Sequence, residues 1–290
     1  MDMNLPFLTQ AQAPLTCEVS AINEFGEPIS VSIPAERALT VYVDKRELVT
    51  LMTLGAHPEL LVLGYLLNQR LVKRAEEIES ITVDWDVGAA AVKTRNGIAD
   101  VEEKTSKRVV TTGCGQGSVF GGLMDEVDQI RLPANARITQ SQLYALVNTI
   151  RLKETTYKSA GSVHACALFD TTTSEPNMLL FVEDVGRHNA IDTIAGWMST
   201  NPEKLGSSKL VFYTTGRLTS EMVIKSAQMG VPIVVSRSGM TQMGHQVAQT
   251  VGLCAIGRAT NKRFVCYTSP QRLILEPGLA GVKTEVIKPA

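Results

Sequence analysis

Cys114 stands in Thr111-Thr112-Gly113-Cys114-Gly115-Gln116-Gly117, the barest setting of the five cysteines. Glycine on either side strips away side-chain cover and lets a partner approach the sulfur closely. A polar loop also exposes backbone amides, which favour a thiolate. The same residues equally suit a Gly-rich turn around a small buried cysteine, the usual fate of a free thiol. Both readings stay open on the local sequence. Cys166, Cys254 and Cys266 lie inside apolar strand patterns and read as core. The five cysteines are odd in number and irregularly spaced, without Cys-x-x-Cys or His-x-x-x-His. That excludes a disulfide framework, gives a structural zinc no support and suits a reducing cytoplasm.

A second chemistry lies in four short loops of the C-terminal half: Arg187 in EDVGRH, Arg217 in TTGRLTS, Arg237 in SRSGMT and Arg258 in GRATNKR. Glycines accompany them (Gly186, Gly216, Gly239, Gly257), and helices are expected just after three. Guanidinium groups, open backbone and helix N-termini are what a phosphate needs. These loops therefore point to an anionic, nucleotide-like ligand, against the alternative of solvated surface loops. His188, at a helix start, should be held neutral by the helix dipole. His164 opens a strand and reads as a structural or a site residue; His57 reads as a helix cap and His245 as structural. Glu183 and Asp184 either orient Arg187 or a ligand hydroxyl, or are solvated. Glu221 and Lys225, four apart, suit a helix pair.

The elements that must position these groups follow from pattern. Ala38–Val43 and Val49–Met52 read as strands, about 58–70 as a helix opened by Pro58 and Glu59, and Ile78–Val83 and Ala90–Thr94 as further strands. Thr139 can cap a helix reaching to about Lys153. From Ser162 onward strands alternate with helices, which predicts a mostly parallel sheet covered by helices, with the arginine loops on one edge. The domain reading is a flexible arm over 1–15, an α+β domain with the Cys114 loop over 16–138, and an α/β domain over 139–290. The 290 residues carry 28 Lys+Arg against 29 Asp+Glu, with 44% hydrophobic and 5% aromatic residues. Neither bulk-charge binding of nucleic acid nor a stacking platform fits. The longest apolar stretch, Leu60–Leu67, is far short of the ~20 residues of a membrane helix.

Taken together, ERALTVYV with LLVLGYLL, TGCGQG, GSVHACALFD, EDVGRHNAID, TTGRLTSEMVIKSAQMGVP and GRATNKRFVCYTSPQRL resemble the FdhD family of formate dehydrogenase accessory sulfurtransferases, over about residues 30–275. The resemblance implies a C-terminal three-layer α/β/α domain like the cytidine deaminase fold, and a homodimer. It implies a cytoplasmic sulfur carrier that takes sulfur from a cysteine desulfurase as a persulfide. The sulfur then passes to a molybdenum (or tungsten) bis(molybdopterin guanine dinucleotide) cofactor, bound as substrate, before that cofactor enters the formate dehydrogenase catalytic subunit. The persulfide cysteine falls on Cys114. Cofactor contact falls on Arg258, Ala259, Thr260, Asn261, Lys262 and Arg263, beside Arg187, His188, Gly216, Arg217 and Arg237 from the loops. No metal of the protein's own, no nucleic acid and no membrane are implied. Family members commonly carry Cys-x-x-Cys at the sulfur loop; here the second place is Gly117. That departure keeps a second reading alive, a chaperone that binds and delivers the cofactor without moving sulfur. Deaminase chemistry is excluded, because His164-Ala165-Cys166 lacks the required glutamate.

Overall fold

Alternating apolar residues and short helical repeats build two sheets that meet through one pair of helices. The computed structural model describes residues 4–98, 109–110, 117–118, 127–153, 155–205 and 209–279. The first half contains β1 (Phe7–Leu8), the hairpin β2 (Thr16–Ile22) and β3 (Pro28–Pro34), β4 (Arg37–Val43), β5 (Arg46–Thr53), α1 (Pro58–Asn68), β6 (Ile78–Asp84) and β7 (Ala89–Thr94). Its sheet has the order β1-β6-β7-β4-β5. The alternation in RALTVYV sends Leu39, Val41 and Val43 inward to meet Leu61, Val62 and Leu66 of α1. Each such leucine contributes on the order of 2 kcal/mol of apolar burial.

Residues 1–15, expected as a flexible arm, are tied down where they are described. β1 adds to β6 in parallel, and the buried Glu59 carboxylate accepts from Thr9 Oγ1 at 2.6 Å and from the Ala11 amide at 2.7 Å. A carboxylate in the first turn of α1 also suits the positive end of the helix. After β7 come β8 (Val109–Val110) and β9 (Gly117–Ser118), an antiparallel pair with Val110 opposite Gly117. Cys114 lies outside the described residues.

The second half contains β10 (Ile138–Thr139), α2 (Gln140–Lys153), α3 (Thr155–Ala160), β11 (His164–Asp170), β12 (Asn177–Asp184), α4 (Arg187–Thr200), β13 (Leu210–Thr214), α5 (Ser220–Gln228), β14 (Ile233–Ser236), α6 (Gln242–Val251), β15 (Cys254–Thr260), β16 (Arg263–Cys266) and β17 (Leu273–Ile274). Six strands form the sheet β12-β11-β13-β14-β15-β16. Only β13–β14 and β14–β15 pair in parallel, so the sheet is mixed where a mostly parallel one was expected. The connections explain this. β11–β12 and β15–β16 are joined by short turns without a helix, and such a turn reaches only an antiparallel neighbour. Alternate strand residues face opposite layers: Cys166, Leu168, Phe212 and Val234 meet α4, α5 and α6, while Ala167, Phe169, Tyr213 and Val235 meet α2. The C-terminal half is a three-layer α/β/α arrangement.

The halves join where α1 crosses α4. Glycine is needed at that crossing: a Cβ on Gly64 would stand 1.6 Å from the Asp192 carbonyl oxygen, and one on Gly196 would stand 2.0 Å from that of Leu60. Two backbones in contact leave no room for a methyl group. No helix among the described residues is long and apolar enough to cross a membrane.

Candidate functional site

Pairing decides which loops share an edge. β12 and β13 are both antiparallel to β11, hence parallel to each other, and β14 and β15 continue in that direction. The C-terminal ends of β12, β13, β14 and β15 therefore open on one edge, beside the start of β11 and the start of β16. All four arginine loops lie there, spread over four strand spacings, on the order of 20 Å. Open α/β sheets bind ligands at such an edge.

Three of the arginines act through charge on one histidine. Burial, and then the charges of Arg187, Arg237 and Arg217, hold His164 below its ordinary range. Thr215 Oγ1 accepts from the Ala165 amide at 3.0 Å and lies 3.4 Å from His164 Nδ1. Arg187 is buried against Gly216, where a Cβ would stand 2.7 Å from its Cδ. Arg237 stacks on Tyr157, its guanidinium carbon 5.3 Å from the ring centroid. Arg217 is exposed and makes no ion pair among the described residues.

The remaining expected contacts span the end of β15, the Asn261–Lys262 turn and the start of β16, so Arg258 lies in a strand where a loop was expected. Arg258, Thr260, Asn261, Lys262 and Arg263 are exposed and Ala259 is buried. Arg258 and Asn261 have φ of 52° and 50°, and the register slips between Gly257 and Thr260. The Arg258 amide donates to the Ser238 carbonyl at 2.7 Å, tying this turn to the Arg237 loop. Gly257 is required there, since a Cβ would meet the Tyr267 ring at 2.7 Å.

Other residues prove structural. His188 turns inward, with Nε2 3.5 Å from Glu221 Oε2 and a buried Nδ1 that has no hydrogen-bond partner among the described residues. Burial first, then the charges of Lys225, Arg187 and His164, push it down to about 2, so it is neutral as expected but lies behind the edge. Asp184 is neither solvated nor a ligand group. Its carboxylate accepts from Thr53 Oγ1, the Leu54 and Gly186 amides and Asn189 Nδ2, fastening β5 to the start of α4. Burial pushes its carboxyl up, against those four bonds. Glu183 accepts from the Thr156 and Tyr157 amides, which sets α3 and places Tyr157 under Arg237. Glu221 and Lys225 pair at 3.7 Å, but the fully buried Lys225 ammonium lies closer to Asp192, at 2.9 Å. Asp192 in turn accepts from Asn68 Nδ2 of α1 at 2.7 Å. His57 is the N-cap residue of α1, without a side-chain cap bond. Thr215 and Tyr157 were not foreseen, because what they do depends on partners about 50 and 80 residues away.

Residues 34–274 match the family model described as the FdhD/NarQ family. The chain belongs to the FdhD/NarQ family. Relatives named sulfur carrier protein FdhD include one from Bacillus subtilis (strain 168), 32% identical over 238 residues, covering 82% of this chain and 88% of the relative. One from Bacillus pumilus (strain SAFR-032) is 30% identical with the same coverage. A crystal structure described as a formate dehydrogenase accessory protein from Desulfotalea psychrophila superposes with a TM-score of 0.70 at 23% identity, covering 90% of this chain and all of that one. That likeness shows a shared fold. The family match spans both the Cys114 segment and the arginine-lined edge.

Proposed function

We propose that this chain is a cytoplasmic sulfur carrier for formate dehydrogenase, with Cys114 as the carrying residue. The observation behind the reading is the match over residues 34–274 to a family whose members are named sulfur carriers, in a chain whose arginine loops share one edge. The Cys114 thiolate attacks the terminal sulfur of a persulfide on a cysteine desulfurase. The donor S–S bond breaks, the donor leaves as thiolate, and Cys114–S–SH forms without net oxidation. The cofactor, a molybdenum or tungsten bis(molybdopterin guanine dinucleotide), is the substrate. Arg217, Arg237, Arg258 and Arg263 take its phosphates by charge-assisted bonds, with His164 as a neutral partner and Arg187 adding charge from behind. In delivery the persulfide gives its proton to water, and its S–S bond breaks with the electron pair returning to Cys114. The sulfur atom bonds to the metal, which supplies two electrons. Catalysis is then mainly positioning.

Gly117 bears on the last step only. A second cysteine there would let the carrier expel sulfur by closing a disulfide; a single cysteine needs the acceptor to provide the electrons. Incubation with a cysteine desulfurase and free cysteine tests the reading. One extra sulfur on the Cys114 peptide, absent from Cys114→Ala, is the expected mass. No added sulfur with an active desulfurase, together with full support of formate dehydrogenase by Cys114→Ala in cells, would leave a cofactor-delivering chaperone instead.

A further inference from the structure

Cys254 and Cys266 stand on adjacent antiparallel strands with Sγ atoms 4.0 Å apart. Ile256 is the residue opposite Cys266, so Cys254 is its diagonal neighbour on the same face of the sheet. Cys254 is fully buried and Cys266 half-buried, which gives a solvent-borne oxidant access to Cys266 first. The two thiols share a hydrogen bond, which lowers Cys266 and, with burial, raises Cys254, and the Cys266 thiol also donates to the Thr268 carbonyl at 3.5 Å. The half-buried sulfur is thus the one an oxidant meets first, and the buried one lies 4.0 Å behind it. Cys166 is the contrast: fully buried, bonded to Thr214 Oγ1 and pushed up to about 12, it has no thiol beside it among the described residues.

We propose that Cys254 and Cys266 are a reversible dithiol–disulfide pair, closed by exchange with small-molecule disulfides, at the root of the hairpin that carries Arg258 to Arg263. The Cys266 thiolate attacks one sulfur of the oxidant; the oxidant's S–S bond breaks, and one thiolate leaves. Cys254, giving up its proton, then attacks Cys266 Sγ and expels the second thiolate. Two protein thiols are oxidised and one disulfide is reduced to two thiols. A disulfide needs its sulfurs ~2.05 Å apart, so the two strands must draw together. Diagonal neighbours start with Cα atoms ~7–8 Å apart, beyond the usual disulfide span, so the bond is strained and easily reduced. The same shift reaches the turn between β15 and β16, where the register already slips between Gly257 and Thr260.

The test uses the full chain with Cys17→Ser and Cys114→Ala, equilibrated with glutathione at rising disulfide-to-thiol ratios and mapped by peptide mass without reduction. The expected result is that the Cys254 and Cys266 peptides become joined, two hydrogens lighter, and separate on reduction. Adding Cys254→Ser should leave a lasting glutathione adduct on Cys266 instead. Absence of joined peptides at every ratio, or a lasting adduct on Cys266 while Cys254 is intact, overturns the pair. Control of the turn rests on reading it as a cofactor contact and has its own readout, guanosine diphosphate affinity. A several-fold difference between reduced and oxidised protein is expected, and equal affinities overturn that control. Failure of both forms to bind guanosine diphosphate counts against the cofactor reading, while joined peptides still carry the thiol pair.

Discussion

Charge is used in two opposite ways around α5. Around its buried face, Lys225, Asp192 and Glu221 form a closed set, and Asn68 from the other half of the chain completes it. Just before its start, Arg217 is exposed, as are Arg258 and Arg263 farther along the edge, and none of the three has an acid partner among the described residues. The first set neutralises itself and holds the halves together. The second leaves its charge facing solvent, where the proposed cofactor phosphates would meet it. Ion pairs in an interior are expensive to break, whereas unpaired surface cations are cheap to keep and easy to neutralise with a ligand.

The contrast is most exposed at Lys225. Lys225→Met leaves Asp192 buried without its cation, and urea unfolding should show a loss of about 4 kcal/mol. Adding Asp192→Leu should recover part of that loss; a single variant as stable as the parent would show that the buried set holds nothing. Gly64→Ala tests the crossing beside it and should cost about 3 kcal/mol, since the methyl group can fit only if α1 and α4 separate. Wild-type stability in this variant would contradict the backbone contact of the two helices.

His188 lies against the buried set, at Glu221, and yields a pH test. Its folded value is lowered to about 2 from an ordinary 6.5. Below pH 6.5 the unfolded chain binds a proton that the folded chain refuses, so His188 subtracts stability as pH falls. Its share is about 1.4 kcal/mol per pH unit. His188→Gln should remove that slope from unfolding curves taken at and just below pH 6; an identical slope in both proteins would place the histidine in contact with water. Smallest in stability are Arg217→Ala and Arg258→Ala. Their unfolding midpoints should match the parent, while guanosine diphosphate binding by calorimetry weakens about tenfold for each charge-assisted bond removed. Loss of stability without loss of binding would move these arginines into the first set.

Much of the second half was legible. Strand–helix alternation from Ser162 onward announced the elements from β11 to α6, because apolar periodicity is set by the face each element buries. Family-bearing motifs could be read because they are short and local. Pairing direction was less accessible. The mixed sheet came from two helix-free turns, and a run such as GSVHACALFD looks alike in parallel and antiparallel company. The β2–β3 hairpin passed unnoticed, as its apolar residues are half exposed and its pattern weak.

Residue roles divided along a similar line. By itself the sequence determined that Arg187, Arg217, Arg237 and Arg258 have glycines close by and that Cys114 lies between two glycines, since these are facts about neighbours in the chain. It also determined that His188 begins a helix. Only the tertiary structure decided that Asp184 binds Thr53, that Lys225 reaches Asp192, that His188 faces inward and that Cys254 meets Cys266. A carboxylate in a loop and an i,i+4 ion pair read the same whether water or protein surrounds them. Burial and long-range partners set their chemistry, and both exist only once the chain has closed on itself.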